Sequence, residues 1–344
     1  MTVSVADPFG ATADTALPFL ARATNPADVE RRIGPLLGGS AKLLSIRVVR
    51  HKPGRRCLVE YDFEAKRANG GSEHVTLVGK ARARGAPSEG DRLLRLLRGR
   101  GFGDAAEDGV SLPEPLGVVG EYHMSLQRKV PGVPASRLFG KPGDAALARR
   151  IARAASKLHR AGLLPHRSHS IAEEIAILRE KLGELSASRP EWGLRLARLM
   201  EECERLAAGV PTTRLRGIHR DLYADQVLVD GPRLYLVDFD LFCQGDPALD
   251  AGNFLGHMSE QALRCLGDPA ALSDSEEAFE EEFVSLSGSS IRPAVRAYAT
   301  LTVARHVYLS TRYEERRPFT ESLLELAEAR LRASSRIGRR RGAL

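Results

Sequence analysis

Three segments near the N-terminus alternate between apolar and polar residues, as strands with one buried face do. They are LLSIRVVRH (43–51), RCLVEYDFEA (56–65) and HVTLVGKARA (74–83), and the turn-forming stretches KPGR and RANGGS separate them. Short turns between consecutive strands favour antiparallel pairing. The pattern therefore predicts a small antiparallel sheet in the first third of the chain.

Helical spacing of apolar residues replaces this alternation farther along the chain. The segment SEGDRLLRLLRGRG (88–101) carries leucines at helical spacing and ends at glycine, whereas YHMSLQRKVPGVP (122–134) is typical of a strand that runs into a linker. Amphipathic helices are predicted at 144–162 and 170–190, and a helical pattern continues throughout 275–332. The later part of the chain is therefore predicted to be mostly helical.

This change of pattern predicts an α+β fold class with two lobes. A small β-rich lobe, which includes an N-terminal extension, takes residues 1–130, and a larger, mostly helical lobe takes residues 131–335. Residues 336–344 contain four arginines and are predicted to form a frayed basic tail.

One segment of the helical lobe differs because acidic residues surround a short apolar hairpin. In GIHRDLYADQVLVDGPRLYLVDFDLFCQGDPALD (217–250), the strand-like runs VLV and RLYLV are joined by a turn at residues 230–232. The acids that flank these runs are Asp221, Asp238, Asp240, Asp246 and Asp250. A merely stabilising surface is rarely built in this way, so the segment is the candidate functional site.

Composition narrows the class of protein. Of the 344 residues, 43% are hydrophobic, which is sufficient for a packed core. The sequence shows no signal peptide and no apolar run long enough to cross a bilayer, so a cytoplasmic location without a membrane partner is expected. The net charge of +7 lies largely in the tail, and aromatic residues do not interleave with basic ones, which argues against nucleic acid as a partner. The four cysteines are too scattered for a zinc site or a disulfide framework.

The motifs of the acidic segment resemble those of enzymes that transfer phosphoryl groups. HRDLYADQ (219–226) followed by LVDFD (236–240) is similar to the catalytic loop and the D-F-G-type metal motif of protein kinases. GDPALDAGNF (245–254), together with LHRAG and VPG, makes the aminoglycoside phosphotransferase and choline kinase superfamily the closer resemblance, over about residues 43–331. The resemblance implies a protein-kinase-like bilobal fold, with a small antiparallel-sheet N-lobe and a larger, mostly helical C-lobe.

The resemblance also implies roles for three residues of the acidic segment. Asp221, in a loop before a strand, corresponds to the catalytic base that accepts a hydrogen bond from the acceptor hydroxyl. Asp238, at the end of the second hairpin strand, corresponds to a magnesium ligand. Gln226 stands where the family has a metal-binding asparagine. Its amide oxygen can also bind a metal, from a side chain longer by one methylene, and maltokinases carry glutamine at this place.

Other polar residues of the segment are expected to be structural. His219 should anchor the catalytic loop. Asp246 and Asp250 should brace a loop through backbone amides and neighbouring arginines.

A lysine of the N-terminal lobe, paired with a carboxylate, is expected to bind the nucleotide phosphates. Lys80, which closes the strand VTLVGK, matches the lysine that contacts the α- and β-phosphates in related kinases. Its carboxylate partner should be Glu89 at the start of the next helix, with Asp91 as the alternative.

Backbone groups of this lobe are expected to complete the nucleotide site. Gly54, in HKPGRR (51–56), lies at the position of the phosphate-covering loop, although an ordinary hairpin turn explains it equally well. The adenine should meet backbone groups from Gln127 to Lys129.

The implied cofactors are ATP or GTP together with Mg²⁺, and the implied partner is a small hydroxyl-bearing acceptor. The acidic stretch SDSEEAFEEEF (273–283) would suit a polycationic aminoglycoside, but the helical spacing of its acids is more typical of a solvated face. The predicted function is therefore an ATP-dependent O-phosphotransferase that acts on an aminoglycoside-like compound, a sugar or an amino-alcohol. A maltokinase-type sugar kinase and a pseudokinase or nucleotide-sensing scaffold are the alternatives.

Overall fold

The computed structural model describes the backbone of residues 3–66, 70–84, 86–211 and 213–341, and side chains as far as residue 334. The chain divides into two compact units. The first is Met1–Gly132 together with Asp230–Val237, and the second is Val133–Val229 together with Asp238–Leu344.

A six-stranded sheet with the order β1-β2-β3-β4-β7-β6 forms the main part of the first unit. Its strands are β1 (Ser4–Ala6), β2 (Ala41–Lys52), β3 (Arg56–Lys66), β4 (Ser72–Arg82), β6 (Pro115–Val119) and β7 (Met124–Arg128). The antiparallel sheet predicted from the alternating pattern is confirmed as β2, β3 and β4. The pattern missed β1, which pairs with β2 in parallel, because three residues are too few to show alternation.

The N-terminal extension is attached to this sheet by buried tyrosines. The helices of the described first unit are α1 (Leu20–Ala23), α2 (Pro26–Ile33) and α3 (Pro87–Leu97). Tyr61 on β3 donates a hydrogen bond of 2.9 Å to the carbonyl of Ala23. Tyr122 donates one of 2.9 Å to the carboxylate of Asp28 on α2. Both tyrosine side chains are fully buried, so the extension is part of the core of this unit.

A pair of short strands explains why residues 230–237 belong to the first unit. β5 (Val110–Ser111) pairs in parallel with β12 (Arg233–Leu236), and Nη1 of Arg233 donates to Oγ of Ser111 over 2.6 Å. The sequence pattern had placed this strand in the helical lobe. The structure differs because pairing between strands so distant in sequence leaves no trace in the local pattern.

Helices form most of the second unit. Those in its described residues are α4 (Asp144–Arg160), α5 (Ile171–Ser188), α6 (Gly193–Ala208), α7 (Pro247–Leu266), α8 (Ser273–Ser287), α9 (Arg292–Thr311) and α10 (Thr320–Arg341). The helices predicted at 144–162 and 170–190 are confirmed as α4 and α5. The helical stretch predicted throughout 275–332 is interrupted, first at Gly288, whose φ of 96° ends α8. Helices α6 and α7 were not predicted, because the prolines and glycines near their starts resemble loop signals.

Short strands hold the connections of the second unit. β8 (Val133–Pro134) pairs antiparallel with β11 (Val227–Asp230). A separate sheet has the order β10-β13-β9, from β9 (Ser168–His169), β10 (Arg216–Ile218) and β13 (Cys243–Gly245). These strands flank the acidic segment and therefore position it.

At the C-terminus, α10 continues to Arg341, so the predicted basic tail is helical to that residue, and residues 342–344 lie outside the described part of the chain. None of the described helices combines the length and the apolar composition that crossing a membrane requires.

Candidate active site

The predicted catalytic and metal-binding segments lie side by side in the second unit. Strand β10, which precedes Asp221, pairs antiparallel with β13, which follows Asp238. The rings of His219 and Phe239 are in contact, with centroids 4.8 Å apart. Residues next to both aspartates are therefore held together, as the resemblance implies.

Asp250 holds the backbone that leads into Asp221. Its Oδ2 accepts a hydrogen bond from the amide of His219 at 2.8 Å, and its Oδ1 accepts one from the amide of Arg220 at 2.7 Å. Nε2 of His159 lies 2.8 Å from Oδ2. Arg220 has a φ of 69°, a region that non-glycine residues adopt only when the surroundings hold them there. The expected bracing through backbone amides is confirmed for Asp250.

Asp246 acts at the start of a helix rather than in a loop. It is the N-cap of α7, and its carboxylate accepts a hydrogen bond of 2.9 Å from the amide of Ala248. Burial raises the pKa of Asp246, and the bond from Ala248 acts in the opposite direction. Because the capped helix also carries Asp250, Asp246 supports the predicted catalytic loop indirectly.

Asp238 and Gln226 offer the oxygen ligands that magnesium prefers. Asp238 is half-buried and left-handed, with φ 64° and ψ 58°, directly before the short 3₁₀ helix Phe239–Leu241. Gln226 is only 8% exposed at the end of another 3₁₀ helix, Ala224–Gln226. Among the residues that the structure describes, no three His, Cys, Asp or Glu side chains are grouped to hold a metal ion. A carboxylate and an amide oxygen are ligand types that suit Mg²⁺, which commonly takes few protein ligands and completes its shell with water and phosphate oxygens.

Lys80 and its predicted partners lie in the first unit. Lys80 is half-buried on β4, opposite Ser125 on β7. Glu89 is exposed in the first turn of α3. Asp91 accepts a hydrogen bond of 2.7 Å from Nε of Arg95, one helical turn away. This ion pair makes Asp91 the weaker candidate, and the pairing of Lys80 with Glu89 stays a prediction.

The turn that contains Gly54 is bound by the N-terminal extension. Oδ2 of Asp14 accepts a hydrogen bond of 2.8 Å from the amide of Gly54 and lies 2.8 Å from Nε2 of His51. The Gly54 amide and the His51 side chain lower the pKa of Asp14. The backbone amide of Gly54, which was considered as a phosphate-binding group, is thus already bound by the carboxylate of Asp14. This contact favours the alternative of an ordinary hairpin turn.

The backbone at the predicted adenine position is also engaged. Gln127 lies on β7, where it pairs with Val78. The amide of Lys129 donates to the carbonyl of Thr76 over 2.8 Å, and Nζ of Lys129 lies 2.6 Å from Oε1 of Glu60. An adenine contact at Lys129 would therefore use a group other than this amide hydrogen or the ammonium.

Acids of α8 are paired with arginines. Glu280 accepts hydrogen bonds from Nη1 of Arg292 at 2.6 Å and from Nε of Arg296 at 2.9 Å. Glu282 accepts one of 2.7 Å from Nε of Arg153. The arginines neutralise negative charge that would otherwise attract a polycationic acceptor. The pairs therefore favour the interpretation of α8 as a structural, partly solvated helix.

Sequence reasoning missed two residues that shape the catalytic loop. Nδ2 of Asn253 donates to the carbonyl of Leu222, directly after Asp221, over 3.0 Å. At Gly217 on β10, a Cβ atom would collide with the backbone carbonyl oxygen of Leu163 and lie 2.7 Å from Cζ of Phe242, so only glycine fits there. Helical spacing could have indicated Asn253, because it shares a face of α7 with Asp250. That signal required GDPALDAGNF to be interpreted as a helix.

Comparisons with known proteins agree with this arrangement. The model of the phosphotransferase enzyme family (APH) matches residues 72–283. No curated protein has a matching sequence. Three solved structures illustrate the similarity of fold.

One is a thermostable mutant of aminoglycoside phosphotransferase APH(4)-Ia with ADP and hygromycin B, at 17% identity and a TM-score of 0.59, covering 88% of this chain and 98% of that one. Another is choline kinase LicA from Streptococcus pneumoniae, at 16% identity and a TM-score of 0.54, covering 89% and 98%. A third is a glucosamine kinase with glucosamine, ADP and inorganic phosphate, at 16% identity and a TM-score of 0.55, covering 94% and 89%. These matches confirm the protein-kinase-like fold class predicted from the motifs.

Proposed function

Because this chain belongs to the phosphotransferase enzyme family, we propose that it transfers the γ-phosphate of ATP or GTP to a hydroxyl of a small molecule. The observation that carries the proposal is the joining of the two acidic motifs. Strands β10 and β13 pair, and Asp250 binds the two amides that precede Asp221. A phosphoryl-transfer enzyme needs one carboxylate at the nucleophile and another at the metal, and this arrangement supports both assignments.

Each candidate residue has one role in this proposal. Asp221 accepts the hydrogen bond of the acceptor hydroxyl and orients it for attack. Asp238 and Gln226 hold Mg²⁺, which neutralises charge on the nucleotide phosphates when it is bound. Lys80, with Glu89 as its partner, contacts the α- and β-phosphates.

The acceptor is proposed to be an uncharged or singly charged compound, such as a sugar or an amino-alcohol. The observation that favours this class is the pairing of Glu280 and Glu282 with arginines, since an aminoglycoside would have to displace those guanidinium groups. Gln226 supports a maltokinase-type sugar kinase as the second candidate.

The test is nucleotide consumption by the purified full chain across a panel of acceptors. ATP and GTP would each be supplied with Mg²⁺, and the panel would contain glucosamine, maltose, choline and hygromycin B. Acceptor-dependent release of the nucleoside diphosphate, slowed at least about 100-fold in Asp221→Asn, is the expected result. Nucleotide binding in a thermal-shift assay without turnover on any acceptor would instead favour the scaffold alternative.

A further inference from the structure

Helices α7 and α9 approach closely because α7 presents glycines to α9. Gly252 and Gly256 are four residues apart and share one face of α7. A Cβ atom on Gly252 would lie 2.7 Å from the carbonyl oxygen of Val295, and one on Gly256 would lie 2.6 Å from Cβ of Thr302. Both distances are too short for real side chains, so glycine is required. The close approach brings Asn253, next to Gly252, against α9.

Asn253 connects α9 to the catalytic loop. Its side chain is completely buried. Nδ2 donates to the carbonyl of Leu222 over 3.0 Å, and Oδ1 accepts a hydrogen bond of 2.6 Å from Nη2 of Arg305 on α9. Hydroxyl Oγ1 of Thr302 lies 3.4 Å from the same Oδ1. Both ends of this amide are therefore satisfied, one by α9 and the other by the residue after Asp221.

Arg305 is held in turn by a buried carboxylate. Its Nη1 lies 3.4 Å from Oε2 of Glu174 on α5, and Oε1 of Glu174 lies 2.5 Å from Nε2 of His169. Burial alone would raise the pKa of Glu174, but the hydrogen bond from His169 and the charge of Arg305 lower it below its usual value. Glu174 is therefore ionised at neutral pH and balances the charge of Arg305.

The same network reaches the strand that follows the metal motif. His169 lies on β9, and its partner across the ladder is Gly245 on β13. β13 begins five residues after Asp238. The contacts from Leu222 to His169 thus begin at the residue that follows the candidate base, Asp221. Through the pairing of β9 with β13, they reach the backbone that follows the candidate metal ligand, Asp238.

Such a network is costly if its only purpose is stability. Taking a carboxylate and most of a guanidinium out of water is unfavourable, and apolar residues of similar volume often stabilise a core as well or better. The guanidinium also polarises the amide of Asn253, which strengthens its donation to the carbonyl of Leu222. Together with Asp250, which binds the amides before Asp221, Asn253 fixes the loop on both sides from one face of α7.

We propose that Asn253, held by Arg305 and Glu174, is a positioning residue that orients the catalytic loop so that Asp221 meets the acceptor hydroxyl. The inference rests on the proposed function, in which Asp221 is the catalytic base. It assigns to α7 and α9 a role in setting the rate of transfer, with no contact of their own to the acceptor.

The central variant is Asn253→Asp. It keeps an oxygen for Arg305 but replaces the Nδ2 donor with an oxygen that repels the carbonyl of Leu222. We expect kcat to fall about 10- to 100-fold, as loss of orientation at a reacting group does, while both KM values change less than about twofold. Asn253→Leu removes both bonds and should also lower Tm. A fall in Tm for Asn253→Asp with no loss of kcat would contradict the proposal.

Glu280→Gln on α8 is the matched control. This variant weakens a carboxylate–arginine contact in the same unit, but Glu280 bonds to Arg292 and Arg296 outside the network. Its kcat should equal that of the parent, even if its Tm falls. An equal loss of kcat in Glu280→Gln and Asn253→Asp would show general destabilisation and overturn the positioning role.

Two further measurements separate this inference from the proposed function. In an Asp221→Asn background, Asn253→Asp should cause no further loss of the residual rate, because it acts through Asp221; a second full loss would refute it. Hydrogen exchange of residues 218–226 should accelerate in Asn253→Asp and not in Glu280→Gln, whether or not turnover is found. Absence of turnover in the parent would count against the proposed function, while unchanged exchange in Asn253→Asp would count against the inference.

Discussion

Replacing Asp250 with asparagine should destabilise the second unit and slow catalysis together. The carboxylate accepts hydrogen bonds from two backbone amides and from His159, whereas an asparagine of the same shape has a single oxygen. More hydrogen bonds are kept if that oxygen takes the Oδ2 position, where it accepts from His219 and His159. The side-chain amino group of the asparagine then faces the backbone amide of Arg220, so two hydrogen-bond donors oppose each other.

The loss of stability in Asp250→Asn follows from counting these hydrogen bonds. One hydrogen bond to a charged group, worth roughly 1.5–3 kcal/mol, is lost, and two become neutral, each weakened by about 1 kcal/mol. The sum is about 3.5–5 kcal/mol, or roughly 7–20 °C in Tm for a unit of this size. Arg220 is also released from its left-handed conformation, so the backbone leading into Asp221 can relax and kcat should fall.

The assay is urea unfolding followed by far-ultraviolet circular dichroism, with initial rates measured on the same preparations. Asp246→Asn is the matched control, because it makes the same chemical change four residues earlier on α7, and asparagine caps a helix about as well as aspartate. We expect the free energy of unfolding of the control to lie within about 1 kcal/mol of that of the parent. Equal stabilities of Asp250→Asn and Asp246→Asn would refute the bond count and the bracing role.

The remaining predictions concern the site residues and the thiols. Asp221→Asn should keep the fold and nucleotide binding while lowering kcat by at least about 100-fold, and near-normal turnover would remove Asp221 from its role. Asp238→Ala should abolish turnover or weaken Mg-nucleotide binding measured by calorimetry, because the proposed site loses its anionic protein ligand. Gln226→Asn should shift the dependence of rate on magnesium concentration to higher values, since the shorter side chain withdraws the amide oxygen; superimposable curves would exclude ligation. Iodoacetamide at pH 8 should modify exposed Cys265 first, because burial raises the pKa of Cys57 to about 12; mass spectrometry of digests would show the order, and equal labelling would contradict it.

Local periodicity in the sequence was sufficient to predict several of the strands and helices. Strands β2 to β4 and helices α4 and α5 were found because each is long enough to show several repeats of its own pattern. Asp221 and Asp238 were assigned through the resemblance of HRDLYADQ and LVDFD to kinase motifs, and their roles stay predictions. Among the elements that were missed, β1 is too short to show such repeats, and α6 and α7 have prolines and glycines near their starts that resemble loop signals.

Tertiary structure alone decided which polar groups these elements bring together. The amide of Gly54 is bound by Asp14, Glu280 and Glu282 of α8 by arginines of other helices, and the carbonyl of Leu222 by Asn253. Each of these bonds joins residues far apart in sequence, or depends on helices whose close packing glycine permits. A polar side chain has the same appearance in the sequence whether its partner is water, a ligand or another helix. The sequence therefore determined which residues could perform the chemistry, and packing determined how firmly the chain holds them.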